Sequence, residues 1–211
     1  MFITLEGIEG SGKTSQMDHI ARFLEKKGRV CQMTREPGGT DIGAKIRNIL
    51  LDPVNEALDP MAELLLYVAD RAQHVRSLIQ PALAAGKTVL CDRYFDATLV
   101  YQGFARGLDK ELIKTLHKII LNDLKPDVTL LLDLPPATGL ARAWRRIEEA
   151  KENEVETRFE KEALKFHEAV RNGYLELARL EPERFFIIDA AQDQKNVSTQ
   201  IDAVLETVLE S

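Results

Sequence analysis

The sequence predicts an α/β fold, a doubly wound five-stranded parallel sheet flanked by helices. Three observations carry this. Residues 7–14 read Gly-Ile-Glu-Gly-Ser-Gly-Lys-Thr and fit G-x-x-x-x-G-K-[ST], a loop whose backbone N–H groups cradle phosphate. Five short apolar runs alternate with longer stretches of helical spacing, the pattern of repeated βαβ units. The runs do not alternate strictly between apolar and polar residues, as expected of parallel strands covered on both faces.

Phe2 to Leu5 is the first strand and ends at Glu6. Met17, Ile20, Ala21 and Leu24 then recur at i, i+3, i+4 and i+7, so the glycine-rich loop opens a helix, and strand, loop and helix N-terminus form an anion site. In that loop Gly7, Ile8, Glu9, Gly10, Ser11, Gly12, Lys13 and Thr14 are the candidate nucleotide-binding residues. Lys13 suits the β- and γ-phosphates and the Thr14 hydroxyl suits Mg²⁺. Gly28 stops the helix, and Val30 to Thr34 is the second strand. Arg35-Glu36-Pro37-Gly38-Gly39-Thr40 follows as a turn carrying a cation and a carboxylate. Helical spacing of Ile42, Ile46 and Ile49 sets Arg47 beside a core face, as a ligand-facing cation or a solvated one.

Asp59-Pro60 starts a helix as N-cap and first helical residue. Its buried stripe is read as Leu65, Val68, Ala72, Val75 and Ile79, with Tyr67 and Arg71 four apart on the flank. No carboxylate lies three or four residues from Arg71, so that pair suits either a planar base with a polar edge or a surface cation–π contact. Thr88 to Cys91 is the third strand, Val128 to Leu132 the fourth and Phe185 to Ile188 the fifth. Asp92-Arg93 after the third strand offers a carboxylate for Mg²⁺ and a guanidinium for an acceptor phosphate, or a mutual ion pair. Ligands of such sheets bind at the carboxyl ends of the strands, where Glu6, Arg35, Asp92 and Asp133 fall. Residues 139–160 are read as a lid: Leu140, Ala143, Trp144 and Ile147 on one helix face, Arg142, Arg145 and Arg146 on the other, then Glu148, Glu149, Glu152, Glu154 and Glu156. The arginines suit either a transferring phosphoryl group or i,i+4 pairing with those glutamates.

A chain of 211 residues suits one domain, 1–211. The net charge of −6 argues against a duplex nucleic-acid binder. No apolar run nears the ~20 residues of a membrane span, and no secretory signal pattern opens the chain. Cys31 and Cys91 lie in strand-like runs and read as buried reduced thiols of a cytoplasmic protein. The four histidines lack metal-ligand spacing. A P-loop leaves a kinase, a nucleotide switch and a motor ATPase in competition. No Asn-Lys-x-Asp supports the switch and the chain is short for a motor, whereas a kinase needs the second anion site that the arginines supply.

With these motifs in order (the P-loop at 7–14, Arg-Glu-Pro-Gly-Gly-Thr at 35–40, Tyr67 with Arg71, Asp92-Arg93-Tyr94 and Tyr101-Gln102-Gly103), the chain resembles the thymidylate kinases from Phe2 to about Asp189. The resemblance implies a P-loop kinase fold, ATP- and Mg²⁺-dependent phosphorylation of dTMP to dTDP for dTTP synthesis, and a homodimer. It implies that Glu9 lies near the dTMP sugar, that Tyr67 stacks on thymine and that Arg71 meets its edge. Arg47 and Arg93 would hold the acceptor phosphate and Asp92 the magnesium–phosphate region, with Arg35, Thr98, Tyr101 and Gln102 along the dTMP pocket. No basic residue stands among Ile8, Glu9, Gly10 and Ser11, so the chain resembles members whose catalytic arginine comes from the lid, here Arg142, Arg145 or Arg146. Ala97 stands where the family usually has Ser or Asn. Thr98 or a water then takes over that role, or discrimination among pyrimidines is altered.

Overall fold

The computed structural model describes residues 1–150 and 157–210. Five strands, β1 Phe2–Glu6, β2 Cys31–Arg35, β3 Thr88–Asp92, β4 Val128–Asp133 and β5 Phe185–Asp189, form one sheet in the order β2-β3-β1-β4-β5, with every pairing parallel. The helices are α1 Lys13–Lys26, α2 Asp41–Leu51, α3 Pro60–His74, α4 Gln80–Ala84, α5 Phe95–Thr98, α6 Lys110–Leu121, α7 Pro136–Ala150, α8 Leu164–Leu180 and α9 Gln194–Glu210. π-helical turns at Val75–Ile79 and Leu99–Ala105 continue α3 and α5.

Apolar cores cover both faces of the sheet. Ile3, Leu5 and Leu90 belong to the larger core with α1, α8 and α9, while Phe2, Val89 and Cys91 belong to the smaller one with Val75 and Ile79. Each fully buried side chain of this size contributes roughly 1.5–3 kcal/mol. The central strands therefore match the sequence reading. The outer strands do not: β2 is an edge strand, Val30 lies outside it, and Met33 is 38% exposed. Cys31 is accordingly half-buried and free, while Cys91 is buried and free.

The caps hold as read. Asp59 accepts from the backbone N–H groups of Met61 and Ala62 at 2.8 and 3.2 Å, which fixes the start of α3. Gly28 has φ 77° and follows the last residue of the α1 cap. Two stripes are corrected. On α3 and the π-helical turn after it the buried stripe is Leu64, Val68, Arg71, Val75 and Ile79, flanked by the buried Glu63, Asp70 and His74, and Leu65 is 50% exposed, because the stripe runs at i, i+4, i+7 with the arginine inside it. On α2, Ile42 and Ile49 are also exposed and Ile46 is half-buried, so that spacing marks an outer apolar face. On α7 Trp144 is partly exposed while Ala143 is buried.

Candidate active site

The carboxyl ends of β1, β3 and β4 meet at one edge, and the P-loop crosses it between β1 and α1. Gly12 is the N-cap of α1 at φ 93°, and Gly10 sits at φ 70° against α7, where a Cβ would collide with the Gly139 carbonyl oxygen. Only glycine fits such a position without strain. Lys13 is buried and turns back, donating to the carbonyls of Gly7 and Ile8 at 2.9 and 3.0 Å. Burial, helped by the nearby Arg93, pushes its ammonium down to about 8. A phosphate at the loop would offer that cation a stronger partner than two carbonyls.

Glu9 ties the loop to the neighbouring pocket. Its Oε1 accepts from Arg93 Nη2 at 2.8 Å and from the Tyr101 hydroxyl at 2.6 Å, and its Oε2 faces His167 Nδ1 at 3.1 Å. Burial alone would raise the Glu9 carboxyl, but Arg93, His167, Lys13 and Tyr101 together hold it well below the usual carboxylate range. Arg93 has φ 66°, a conformation costing about 1–3 kcal/mol for such a residue. Its N–H donates to the Leu5 carbonyl at 2.9 Å and its guanidinium also reaches Tyr101 at 2.9 Å, so the surroundings enforce the strained turn. Glu9, not Asp92, is therefore its ion-pair partner.

Beyond Arg93 opens a narrow pocket in which Arg47, Tyr67, Arg71, Ala97, Thr98, Tyr101, Gln102 and Phe159 take part. Most acceptor-pocket residues read from the sequence thus converge. Arg71 is not the exposed flank residue expected. It is buried, with Nε on Glu36 Oε2 at 2.7 Å, Nη2 on the Tyr94 carbonyl at 3.1 Å and Nη1 facing His117 Nε2 at 3.2 Å. Its carboxylate partner comes from the turn after β2, 35 residues away, which no local spacing reveals. Burial and Arg71 depress His117, leaving a neutral ring whose Nε2 accepts. Arg47 donates to the Pro37 carbonyl at 2.9 Å. The Thr98 hydroxyl is buried at the pocket without a protein partner.

Two expected residues fall elsewhere. Arg35, expected in this pocket, is exposed and lines a separate cavity with Thr14 and Asp92, because it ends the edge strand. Arg142 donates to the Ala190 carbonyl at 2.9 Å, beyond the end of β5, and so is docked, unlike its two neighbours. Arg145 and Arg146 are 75% and 64% exposed, 3.9 Å from Glu149 and Glu160 respectively. Of the expected lid, residues 151–156, with Glu152, Glu154 and Glu156, lie outside the described residues. In the Thr14 and Asp92 cavity one Asp92 oxygen, Oδ1, is buried without a partner. A hydroxyl and an unsatisfied carboxylate oxygen are the hard donors Mg²⁺ takes when it is held mainly by phosphates.

The family model for thymidylate kinase matches residues 5–201. The chain belongs to the thymidylate kinase family. It is 58% identical over 208 residues to the thymidylate kinase of Desulfosudis oleivorans, covering 99% of this chain and 97% of that one. The thymidylate kinase of Trichlorobacter lovleyi is 52% identical over 206 residues, with 97% of each chain covered. The crystal structure of thymidylate kinase from Ehrlichia chaffeensis superposes with a TM-score of 0.76 at 32% identity, covering 97% of this chain and 98% of that one.

Within this thymidylate kinase frame the sequence reading placed Glu36 at the active edge without its partner, and missed Glu63, Arg158, Phe159 and His167. All are buried, and each contacts or lines the pocket or its supports. A signal of core spacing existed for His167, three residues before the buried Val170, whereas Glu63, adjacent to Leu64, has none.

Proposed function

We infer that the chain transfers the γ-phosphoryl group of ATP to the 5′-phosphate of dTMP, giving dTDP, with the P-loop on the donor and the Arg93 pocket on the acceptor. The observation that carries this division is the Glu9–Arg93–Tyr101 cluster: one residue of the phosphate loop is bonded directly to the arginine that opens the pocket. Donor and acceptor phosphates would therefore meet across a span held by hydrogen bonds under 3 Å.

Lys13 leaves its two carbonyls for the β- and γ-phosphates. Arg93 and Arg47 hold the acceptor phosphate, Tyr67 stacks on the base, and Arg71 offers donors to its edge. A phosphate dianion is already a nucleophile, so the protein needs no general base and contributes positioning and charge stabilisation. Thr14 and Asp92 suit a Mg²⁺ that travels with ATP; when bound, it neutralises phosphate oxygens. Among the described residues of α7, Arg145 and Arg146 are exposed and able to reach the transferring group, whereas Arg142 is engaged at Ala190.

The outer apolar face of α2 and α3, with Ile42, Ile49, Met61 and Leu65 exposed, supports a homodimer. No described helix is long and apolar enough to cross a membrane. A cytoplasmic, single-domain enzyme is the corresponding proposal, and the net charge of −6 speaks against a duplex nucleic acid as its partner. A coupled assay with ATP, Mg²⁺ and dTMP, dUMP, dCMP or thymidine tests the reading. Turnover is expected with dTMP. Turnover only with another acceptor would overturn the substrate, and nucleotide binding without acceptor-dependent ADP release would overturn transfer.

A further inference from the structure

Glu63 is fully buried on α3, yet it accepts from three side chains. Gln102 Nε2 donates to its Oε1 at 2.7 Å, Arg106 reaches both oxygens at 3.4 Å, and Arg158 Nη1 meets Oε2 at 2.6 Å. A carboxylate between guanidinium groups only accepts, so the Gln102 amide must turn its nitrogen towards Glu63. Its oxygen is then the atom left for a ligand in the pocket that Gln102 lines.

This orientation has chemical content. Thymine and uracil carry N3–H, a donor, beside the O4 acceptor. Cytosine carries an unprotonated N3, an acceptor, beside an exocyclic donor. A Gln102 held with its oxygen forward accepts from N3–H and has nothing to give to the cytosine N3. An amide free to flip would serve both.

The third donor comes from a distant segment. Arg158 is buried and also donates to the carbonyls of Leu50 at 3.1 Å and Asn55 at 3.3 Å, pinning residues 157–163 to the end of α2. Its neighbour Phe159 lines the same pocket and meets the Tyr101 ring edge-on at 5.4 Å. Arg158 thus joins the segment at 157–163 to Glu63 and, with Arg106, neutralises its carboxylate.

We propose that Glu63 is a positioning residue for base selection: it fixes the Gln102 amide to accept from an N3–H pyrimidine, and Arg158 holds it there. This rests on the acceptor reading above. The test compares kcat/KM for dTMP and for dCMP in the full chain and in Glu63→Gln. A glutamine at 63 can donate to Gln102 and so permits the flipped amide. The dTMP-to-dCMP ratio is expected to fall at least about tenfold, with the KM for ATP unchanged. An unchanged ratio, whether both rates fall together or neither moves, overturns the proposal, since a plain packing role lowers both alike.

Arg158→Met and Arg158→Lys, checked by thermal melting, keep the test open if Glu63→Gln does not fold. The Met variant is expected to raise the KM for dTMP and lower the same ratio, with partial recovery in the Lys variant. Equal behaviour of the two, or a ratio like that of the unaltered chain, overturns the role of Arg158. A chain without any dTMP turnover overturns the acceptor reading and this proposal with it. Normal turnover with an unmoved ratio overturns the proposal alone.

Discussion

On the pocket side of the P-loop the charges are already paired and buried, whereas on the α7 side they stand in solvent. Glu9, Arg93, Tyr101, Glu63 and Arg158 form contacts of 2.6–2.9 Å with one another or with immediate neighbours. Among the described residues Arg145 and Arg146 meet carboxylates at 3.9 Å, and Lys13 rests on backbone carbonyls. One side is therefore pre-organised by contacts that also serve the fold. The other carries cations that a bound phosphate would engage, and they cost little to hold before it arrives.

The largest expected effect would break that contrast. Replacing both Arg145 and Arg146 by alanine should lower kcat by about 10³-fold, the scale of a catalytic arginine. The melting temperature should stay put, because exposed pairs at this distance contribute almost nothing. A full rate in the double variant would leave the α7 side without a function. Next, Arg93→Ala should cost up to about 3 kcal/mol, since it leaves the buried Glu9 without its cation and with Tyr101 and His167 as remaining partners. Here both thermal stability and kcat/KM for dTMP should fall, and a loss of only one would separate fold from ligand binding on the pocket side.

A smaller effect sharpens the acceptor half. Tyr67→Ala should raise the KM for dTMP by the worth of one stacking platform, about 1–3 kcal/mol, with the KM for ATP unmoved. Steady-state kinetics with each substrate varied in turn would read it, and an unmoved dTMP KM would rule out stacking.

The smallest effect concerns the donor half and follows from Lys13. Its ammonium is depressed to about 8 before ligand binds, first by burial and then by Arg93. Phosphate contact raises it again, so ATP binding takes up a proton above pH 8. Affinity is full below pH 8 and falls as pH rises through it, by about tenfold between pH 7 and 9. Calorimetry at pH 8.5 in two buffers of different ionisation heat would show the uptake. Identical heats would mean that Lys13 stays charged throughout.

Much of the molecule was legible before any coordinates. The P-loop, the helix start at Asp59-Pro60 and the stop at Gly28 are local patterns with local causes, and the structure has them where they were read. The central strands were equally plain, because burial on both faces leaves unbroken apolar runs. Arg71 shows where this ends. Spacing set it on an open flank, but its partner Glu36 arrives from another element and carries it into the core. The Ile42, Ile46 and Ile49 stripe shows the converse: amphipathic spacing says that a face is apolar and cannot say what covers it.

The sequence by itself determined the phosphate loop, the order of strands and helices along the chain, and the set of arginines and carboxylates available at the strand ends. These depend on contacts within a few residues. The tertiary structure alone decided which charges pair. It set Glu9 on Arg93, Glu36 on Arg71 and Glu63 on Arg158, across separations of 84, 35 and about 95 residues. Such pairs leave no periodic trace, because a buried ion pair is specified by where two elements cross and not by the neighbours of either residue.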